Sequence, residues 1–370
     1  MYKATTKLTK NLNTLLGIVA TLIVIGMLFI YSSSSIFALE NYGTAHYFIK
    51  KQLFGLALGC VAFCAARYIR LDFLFSKISL FFWGSWFLTA LTLIPKLGVR
   101  IYGSSRWLKL GPLTFQPSEL LKISLILYIA FFLAKKEDKP FTFVYSYLPF
   151  LTIMGLISGI LLMQPDFGLT VTLVCSSFIL LFIADFPFKY LLYTILPLIP
   201  AVAFLIIKYP YRLKRVLIFL DPWSDPQGAG FQIIQSLIAV GSGSWLGTGI
   251  GHSKQKFFYL PMQHTDFIFS IIAEEIGFIG SLFIIILYIL FLYFGLKIAW
   301  QLKKTIHIYA TLGFVLLLTL QALINFAVVT GLLPTKGIGL PFISYGSSSL
   351  ISSMIMIGLI ANMVRTQEKE

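Results

Sequence analysis

The side chains best suited to chemistry are concentrated in one stretch of the chain, Trp245 to Gly280. This stretch runs from a glycine-rich polar loop, through two lysines and two histidines, into a strongly apolar segment, and Asp266 lies at the junction. A carboxylate at a membrane boundary beside a basic loop is suited to acid–base chemistry on an anionic, lipid-linked substrate. Thr265 and Asp266 are also favoured helix N-cap residues, so helix capping without chemistry is the alternative interpretation.

A second acidic residue lies in a similar position. Asp166 occurs in the sequence Q-P-D-F-G between two apolar segments, and we expect it to face the same side of the membrane as Asp266. The two carboxylates can then converge on one outward-facing cavity. Gln321 and Asn325 lie four residues apart in a later apolar segment. This spacing places both on one helix face, so we expect them to hydrogen-bond across the helix bundle.

Several charged residues fall inside apolar segments, where each costs roughly 2.5–3.5 kcal/mol on insertion scales. Glu119 and Lys122 lie three residues apart on one helix and can pair with each other. Glu274 and Glu275 lie about 12–14 Å below Asp266 if all three share a helix with a rise of about 1.5 Å per residue. At that depth they must be protonated or paired, and Lys122 is one candidate partner. Structural pairing and proton relay both remain open, and pairing is favoured.

The composition is that of a polytopic membrane protein. Of the 370 residues, 58% are hydrophobic and 12% are charged, which leaves too little polar surface for a soluble globule. Cys60, Cys64 and Cys175 all lie in apolar segments without a C-x-x-C motif, so neither a disulfide framework nor a zinc site is indicated. The first apolar run, Leu15–Phe37, lacks a small-x-small cleavage site and is expected to be a retained helix.

The apolar segments predict an all-α bundle of about ten transmembrane helices, because every backbone hydrogen bond must close within each span in lipid. We expect a single membrane domain over residues 1–370, with both termini on one side and a large outer loop over residues 208–265. Gly55 and Gly59 form a small-xxx-small seam for close helix contact. The predicted spans are Leu15–Phe37, Ile49–Ala66, Phe73–Pro95, Ser118–Ala134, Tyr145–Met163, Leu169–Ala184, Tyr190–Ile207, Asp266–Ile298, Ile306–Gly331 and Phe342–Val364.

The large outer loop contains two further helical patterns. Apolar residues recur at helical spacing from Leu213 to Leu220, opposite basic side chains, which predicts a short helix in the membrane interface. The segment Gly230 to Val240 is apolar but too short to span, which predicts a re-entrant or interfacial helix beside an outer cavity. The glycines between positions 241 and 251 match no phosphate-binding motif, which argues against nucleotide binding there.

Lys and Arg are numerous at both ends of the predicted bundle, and the formal net charge is +15. Their slight excess on the N-terminal side predicts cytoplasmic termini. The outer cations, which include Lys254 and Lys256, would attract an anion such as a lipid diphosphate. A solvated surface near anionic headgroups is the alternative interpretation. Nucleic acid is a poor partner, because the basic residues lie in separate loops without a binding motif.

Five motifs in order resemble the SEDS family of FtsW, RodA and SpoVE proteins. The resemblance covers nearly the whole chain, and the segments P-T-K-G and H-T-D are most similar to the division branch, FtsW. One departure is Ser347, where the family usually has a second glycine. The motifs are G-S-S-R-W (103–107) with F-Q-P-S-E-L-L-K (115–122), Q-P-D-F-G (164–168), D-P-W-S-D-P-Q-G-A-G-F-Q-I-I-Q-S (221–236), Y-L-P-M-Q-H-T-D-F-I-F-S-I-I-A-E-E-I-G (259–277) and P-T-K-G-I-G-L-P-F-I-S-Y-G-S-S-S-L (334–350).

The resemblance implies a peptidoglycan glycosyltransferase that polymerises lipid II with inversion at the outer face of the cytoplasmic membrane, during septal wall synthesis. Asp266 matches the family's catalytic aspartate and would act as general base on the acceptor 4-hydroxyl, with undecaprenyl diphosphate as leaving group. Asp166 would bind or orient the substrate, and Arg106, Lys122 and Lys336 would hold the diphosphate. The implied substrate-binding residues are Arg106, Lys122, Asp166, Lys336 and His264.

The resemblance also carries expectations about partners and cofactors. No metal site or cofactor is required by the sequence, although Mg²⁺ or Mn²⁺ on the diphosphate is compatible with the reaction. The implied partners are a class B penicillin-binding protein, which would supply the transpeptidase, and other divisome proteins. Two other function classes stay open: a lipid II flippase whose intramembrane polar residues line a headgroup path, and a non-catalytic scaffold that activates a cell-wall synthase.

Overall fold

The computed structural model describes residues 2–95, 97–101, 104–110, 113–136, 142–208, 210–257, 260–261, 263–335 and 337–369. The chain is mostly helical, as predicted, because its apolar segments satisfy their backbone groups internally. The α-helices are α1 (Tyr2–Tyr42), α2 (Tyr47–Tyr68), α3 (Leu71–Ser76), α4 (Ile78–Leu91), α5 (Ser118–Ala134), α6 (Leu148–Met163), α7 (Phe167–Ile183), α8 (Phe188–Lys208), α9 (Pro210–Leu220), α10 (Phe231–Ser242), α11 (Ile268–Ala299), α12 (Thr305–Val329) and α13 (Ser347–Lys369).

Each of the ten predicted spans coincides with a helix or a pair of helices. Among the described residues, six segments are long and apolar enough to cross a bilayer on their own. They comprise most of α1, all of α2, α11, α12 and α13, and α6 together with the π-helical turn before it. Shorter apolar helices include α4, α7 and α10. The two helices predicted in the large outer loop are present as the amphipathic α9 and as α10.

The observed helices depart from the approximate predicted spans at three points. The third span is interrupted at Lys77, which separates α3 from α4. The last span begins at Ser347 rather than Phe342, whose positive φ of 68° belongs to a turn. The eighth span begins at Ile268, so Asp266 lies in the turn before the helix and not in its first turn. A helix start depends on which residue turns the chain, and hydropathy alone does not report this.

The loop between α4 and α5 contains a small antiparallel sheet that the sequence did not predict. Strands β1 (Gly98–Ile101), β2 (Ser104–Leu110) and β3 (Leu113–Phe115) are arranged in the order β1-β2-β3. A register shift between Val99 and Arg100 interrupts the β1–β2 pairing. The fold is therefore helical within the bundle but includes a sheet outside it, and β2 carries Arg106.

The centre of the bundle is built around α12, which packs against α5, α7 and α11. α13 packs along α2, where the predicted glycine seam is confirmed: a Cβ atom added at Gly55 would lie 2.7 Å from Cβ of Ser347. Ser347 begins α13 with ordinary helical geometry. The position therefore does not need the glycine that the family usually has there.

The two ends of the chain lie at the same end of the bundle, as predicted. The Thr9 hydroxyl donates to the carboxylate of Glu368. Asn11 Nδ2 donates to Gln301 Oε1 at 3.1 Å, and Gln367 Nε2 donates to the Gln301 carbonyl at 2.8 Å. Gln301 lies two residues after the end of α11, so this end of the bundle is opposite to the turn that carries Asp266.

Helix α11 is broken at Gly277, which has φ 66° and ψ −167°. The segment that follows α10 runs through the break and satisfies the backbone groups that it frees. The exchanged bonds are Thr248 N to Glu274 O (2.9 Å), Gly249 N to Glu275 O (3.0 Å), Phe278 N to Ser244 O (2.8 Å) and Ile279 N to Trp245 O (3.2 Å). A polar segment can enter the membrane here because protein supplies its hydrogen bonds.

Two expectations about buried charges are corrected by this arrangement. Lys122 pairs with Glu119, Nζ to Oε2 at 2.7 Å, as the spacing predicted, and is not the partner of Glu275. The ion-pair partner of Glu275 is Lys256, at 3.3 Å. Lys256 was expected to be an exposed outer cation, but the fold buries it. The pairing joins residues 19 positions apart through a reversal of the chain, which helical spacing cannot reveal.

Candidate functional site

Asp266 is positioned by the turn that precedes α11. The N-cap residue of this helix is Phe267, and no side chain caps the helix start. The capping interpretation of Asp266 is therefore wrong. Its carboxylate is half-buried and lies against the segment between α12 and α13, where a Cβ atom added at Gly337 would lie 3.1 Å from Oδ2. Glycine at this position leaves room for the carboxylate.

Buried polar side chains hold the Asp266 turn from behind. Asn325 Nδ2 donates to the carbonyl of Asp266 and to that of Ile338, both at 2.7 Å. Ser344 Oγ donates to the Thr265 carbonyl at 2.6 Å. These bonds connect the turn before α11, the C-terminal part of α12 and the segment before α13. The predicted cross-bundle role of Asn325 is confirmed, and Gln321 acts similarly by donating to Gly339 O at 3.0 Å.

His264, a predicted substrate-binding residue, is buried in an aromatic cluster. Its ring lies 4.4 Å from that of Phe48 and 5.7 Å from those of Phe37 and Tyr345. The Tyr345 backbone N–H donates to the His264 carbonyl at 3.0 Å. Burial lowers the pKa of His264 to about 4, so the imidazole is neutral near pH 7. His264 is therefore a neutral ring packed among Phe37, Phe48 and Tyr345.

Asp166 begins α7 and is buried beside Arg106. Its Oδ1 accepts the Leu169 backbone N–H at 3.2 Å as an N-cap, and its Oδ2 lies 3.4 Å from Arg106 Nε. Arg106 Nη2 also donates to the Pro165 carbonyl at 2.5 Å. Burial raises the pKa of Asp166, and the Arg106 charge opposes that rise. The sheet and the start of α7 thus hold one arginine between them.

The structure brings the two acidic residues to one site, as predicted. A Cβ atom added at Gly168, in the first turn of α7, would clash with the Ile338 side chain, and one added at Gly337 would lie 3.1 Å from Asp266 Oδ2. Burial raises the pKa of Asp266 to about 7, Arg106 lowers it, and Asp166 raises it. Asp266 therefore responds to both charges of the neighbouring pair.

The structure describes only one of the two predicted phosphate-binding lysines, Lys122. Lys122 is fully buried next to Glu119, whose carboxylate also accepts the Ser352 hydroxyl. The positive charge of Lys122 lowers the pKa of Asp166. Lys122 is thus an interior residue of the site. Lys336 lies outside the described residues, between Thr335 and Gly337 in the sequence.

Sequence reasoning missed several residues that position the site. Gly337, Ser344 and Tyr345 all lie in the motif that resembles the family, but the motif did not indicate which of them contact the Asp266 turn. Gln263, three residues before Asp266 in the same motif, was also missed. In the described part of the chain, no group of three or more His, Cys, Asp or Glu side chains is arranged to hold a metal ion.

The Asp266 carboxylate and the Arg106 guanidinium together are suited to removing a proton close to a bound phosphate group. A half-buried carboxylate with a pKa near 7 is ionised in a useful fraction at neutral pH and is still basic enough to accept a proton. The adjacent guanidinium, which is partly exposed, offers a fixed fork for a phosphate.

Comparisons with known proteins agree over nearly the full length. The family profile described as cell cycle protein, for FtsW, RodA and SpoVE, matches residues 13–369. A probable peptidoglycan glycosyltransferase FtsW of Trichlorobacter lovleyi is 41% identical over 352 residues, covering 94% of this chain and 92% of that protein. Stage V sporulation protein E of Bacillus subtilis is 36% identical over 370 residues, covering 98% and 99%.

Solved structures show the same similarity. A chain of a peptidoglycan synthase complex, described for its coordination of polymerization and crosslinking, matches with a TM-score of 0.80 and 31% identity, covering 96% of this chain and 98% of that chain. The rod shape determining protein RodA of Thermus thermophilus matches with a TM-score of 0.71 and 26% identity, covering 96% and 97%. This chain belongs to the FtsW, RodA and SpoVE family of polytopic membrane proteins, the SEDS family.

Proposed function

We propose that this chain is a peptidoglycan glycosyltransferase that polymerises lipid II, with Asp266 as its general base. Relatives named as probable peptidoglycan glycosyltransferases support the activity. The observation that carries the assignment of the base is the Asp266 carboxylate itself. It caps no helix, its backbone carbonyl is held by Asn325, and its pKa is about 7 beside the Arg106–Asp166 pair.

The reaction follows from this placement. The Asp266 carboxylate takes the proton of the acceptor sugar's 4-hydroxyl group. At the same time, the 4-hydroxyl oxygen attacks the anomeric carbon of the donor sugar. The bond from this carbon to the diphosphate oxygen breaks, and undecaprenyl diphosphate leaves with the electron pair. Attack from the face opposite to the leaving group inverts the anomeric centre.

The residues around Asp266 have distinct roles in this proposal. Arg106 binds the leaving diphosphate, and Asp166 orients its guanidinium from the start of α7. Lys336 adds a second cation to the diphosphate. Lys122 contributes charge from the interior, and His264 closes the site on its apolar side. No resident metal ion is assigned to the chain.

The proposal includes a partner and a location. A solved relative comes from a peptidoglycan synthase complex, and by analogy a class B penicillin-binding protein would cross-link the strands that this chain makes. Similarity to proteins named FtsW supports a role with other divisome proteins at the septum. The site would lie at the outer face of the cytoplasmic membrane, with both termini inside.

The decisive experiment is polymerisation of lipid II by purified protein carrying Asp266→Asn. Asn keeps the shape of the side chain but cannot accept the proton, so we expect the loss of at least about a hundredfold in rate. Folding should be preserved because the backbone bonds of the turn do not involve the carboxylate. Glycan strands are measured on gels, and thermal unfolding in detergent reports the fold. Asp225→Asn, at an exposed ion pair with Lys214, is the matched control.

Each outcome assigns a function class. Strands from the wild-type protein and the control, but not from folded Asp266→Asn, support the proposal. Near wild-type polymer from Asp266→Asn would contradict Asp266 as the base. In vesicles that contain the protein, movement of lipid II between leaflets without polymer would favour a flippase. Polymer that appears only when a second glycosyltransferase is added would favour a scaffold.

A further inference from the structure

Two buried carboxylates have no part in the reaction proposed above. Glu274 and Glu275 lie immediately before the break of α11, and each is only 1% exposed. A buried charge without a partner is strongly unfavourable. The groups that bond to Glu274 and Glu275 therefore show which segments these carboxylates hold in place.

Both carboxylates hold the same short segment of the outer loop. Glu274 Oε1 accepts the Lys254 backbone N–H at 2.8 Å, and its Oε2 accepts the Ser253 hydroxyl. Glu275 Oε1 pairs with Lys256 Nζ at 3.3 Å, and the same ammonium donates to the Gly251 carbonyl. Residues 251–256 are thus fastened to α11 from two adjacent positions.

Glu275 also reaches the first helix of the bundle. The Ser32 hydroxyl lies 2.7 Å from Oε1 and 2.8 Å from Oε2 of Glu275. The carboxylate therefore joins α1, α11 and the loop segment at one point. Lys256 is 4% exposed, so this ion pair is shielded from water and its geometry is tightly defined.

The fastened segment is connected to the Asp266 turn by one amide. Gln263 Nε2 donates to the Lys256 carbonyl at 3.1 Å and to the Ser33 carbonyl at 2.8 Å. Gln263 is buried and lies three residues before Asp266 in the same turn. A continuous path of contacts therefore runs from the Glu275 carboxylate, through Lys256 and Gln263, to the candidate base.

We propose that Glu275 and Lys256 are positioning residues for Asp266, acting through Gln263. The ion pair fixes the position of the 253–256 segment along α11 and α1. Because Gln263 bonds to this segment, it fixes the position of the Asp266 turn relative to the same helices. Asn325 and Ser344 already hold the Asp266 turn on the side of α12 and α13, and Gln263 attaches it on the side of α1 and the 253–256 segment. This inference rests on the proposed function, since it assigns a role in proton abstraction.

The test separates positioning from stability by removing both charges together. In Glu275→Gln with Lys256→Met, no unpaired buried charge remains, and such replacements are often neutral for stability. We expect the unfolding midpoint to stay near that of wild type. The maximal polymerisation rate should fall at least about tenfold because a misplaced base loses its near-attack geometry. The lipid II concentration for half-maximal rate should not change, because Arg106 and Asp166 are untouched.

Gln263→Leu provides an independent second measurement. It removes the connecting amide but leaves the ion pair, and we expect a similar loss in maximal rate. Combining all three substitutions should add little further loss, because residues acting along one path are not additive. Asp225→Asn, which breaks the exposed ion pair to Lys214, should polymerise at the wild-type rate.

A folded double variant that polymerises at the wild-type rate would overturn the positioning role. A loss of rate that is no larger than the loss of folded protein would overturn it as well. If the double variant does not fold, Gln263→Leu decides: a wild-type rate there contradicts the proposal. Failure of the proposed function can be distinguished from failure of this inference. The first would appear as polymer made by Asp266→Asn, whatever the rate of the Glu275→Gln, Lys256→Met variant.

Discussion

Asp266 is tuned by two opposing charges at the scale of single residues. Burial raises its pKa to about 7, Arg106 lowers it and Asp166 raises it. General bases work best with a pKa near the operating pH, where they are ionised and still basic. Arg106 also pairs with Asp166 at 3.4 Å, so one guanidinium serves both acids.

The pH dependence of polymerisation should report this tuning. Because the base must be ionised, we expect the rate to rise with pH through about 7. Asp166→Asn removes a charge that raises the pKa of Asp266, so the midpoint should move to lower pH. Arg106→Gln removes a charge that lowers it, so the midpoint should move to higher pH.

Initial rates at saturating lipid II, over roughly pH 5.5 to 8.5, measure the three midpoints. The comparison uses the position of each profile and not its height, since both variants also affect substrate binding. Equal midpoints in all three proteins would show that Asp266 does not set the profile.

At the scale of elements, the break in α11 lets the outer loop reach the interior. Gly277 has φ 66° and ψ −167°, a conformation that is essentially restricted to glycine. A Cβ atom there would also clash with the backbone nitrogen of Gly247, which passes through the break. The crossing segment carries residues 251–256 to Glu274 and Glu275.

Gly277→Ala should therefore be strongly destabilising. We expect the free energy of unfolding to fall by at least about 3 kcal/mol, from backbone strain together with the clash. The matched control is Gly84→Ala in α4, where a Cβ atom meets nothing within 4 Å. The control should be neutral or slightly stabilising, because alanine is the better helix former.

Thermal unfolding of both variants in the same detergent provides the measurement. The polymerisation rate of any folded Gly277→Ala protein should also fall, because the 253–256 segment would no longer reach α11. Equal stability of the two variants would mean that α11 can straighten without cost.

At the scale of the whole molecule, the bundle separates two ends. Asp266, Asp166 and Arg106 meet at one end, and the chain termini meet Gln301 at the other. The distribution of Lys and Arg predicts that the end with the termini is cytoplasmic. A cell-wall polymerase needs its site on the opposite side.

Cysteine labelling in intact cells tests this orientation. After replacement of Cys60, Cys64 and Cys175, single cysteines are introduced at the exposed positions Ser224 and Lys303. We expect a membrane-impermeant reagent to label Ser224→Cys from outside and Lys303→Cys only after permeabilisation. The reverse pattern would place the candidate site in the cytoplasm and contradict the proposed function.

The sequence by itself determined the class of the protein and its principal acids. Long apolar runs require helices in lipid, and each of the ten predicted spans coincides with helical structure. The spacing of Glu119 and Lys122 predicted their ion pair, and the position of Asp166 and Asp266 at span ends on the same side of the membrane predicted that they share a site. These features follow from hydropathy and short-range spacing, which are local properties of the chain.

Only the tertiary structure decided which residues hold Asp266 in place. The partner of Glu275 is Lys256 and not Lys122, because the loop after α10 enters the break at Gly277. The Asp266 turn does not cap α11, because Phe267 occupies the N-cap position. Contacts of this kind join segments that are distant in sequence, and they depend on where the chain reverses direction, which periodicity and composition do not encode.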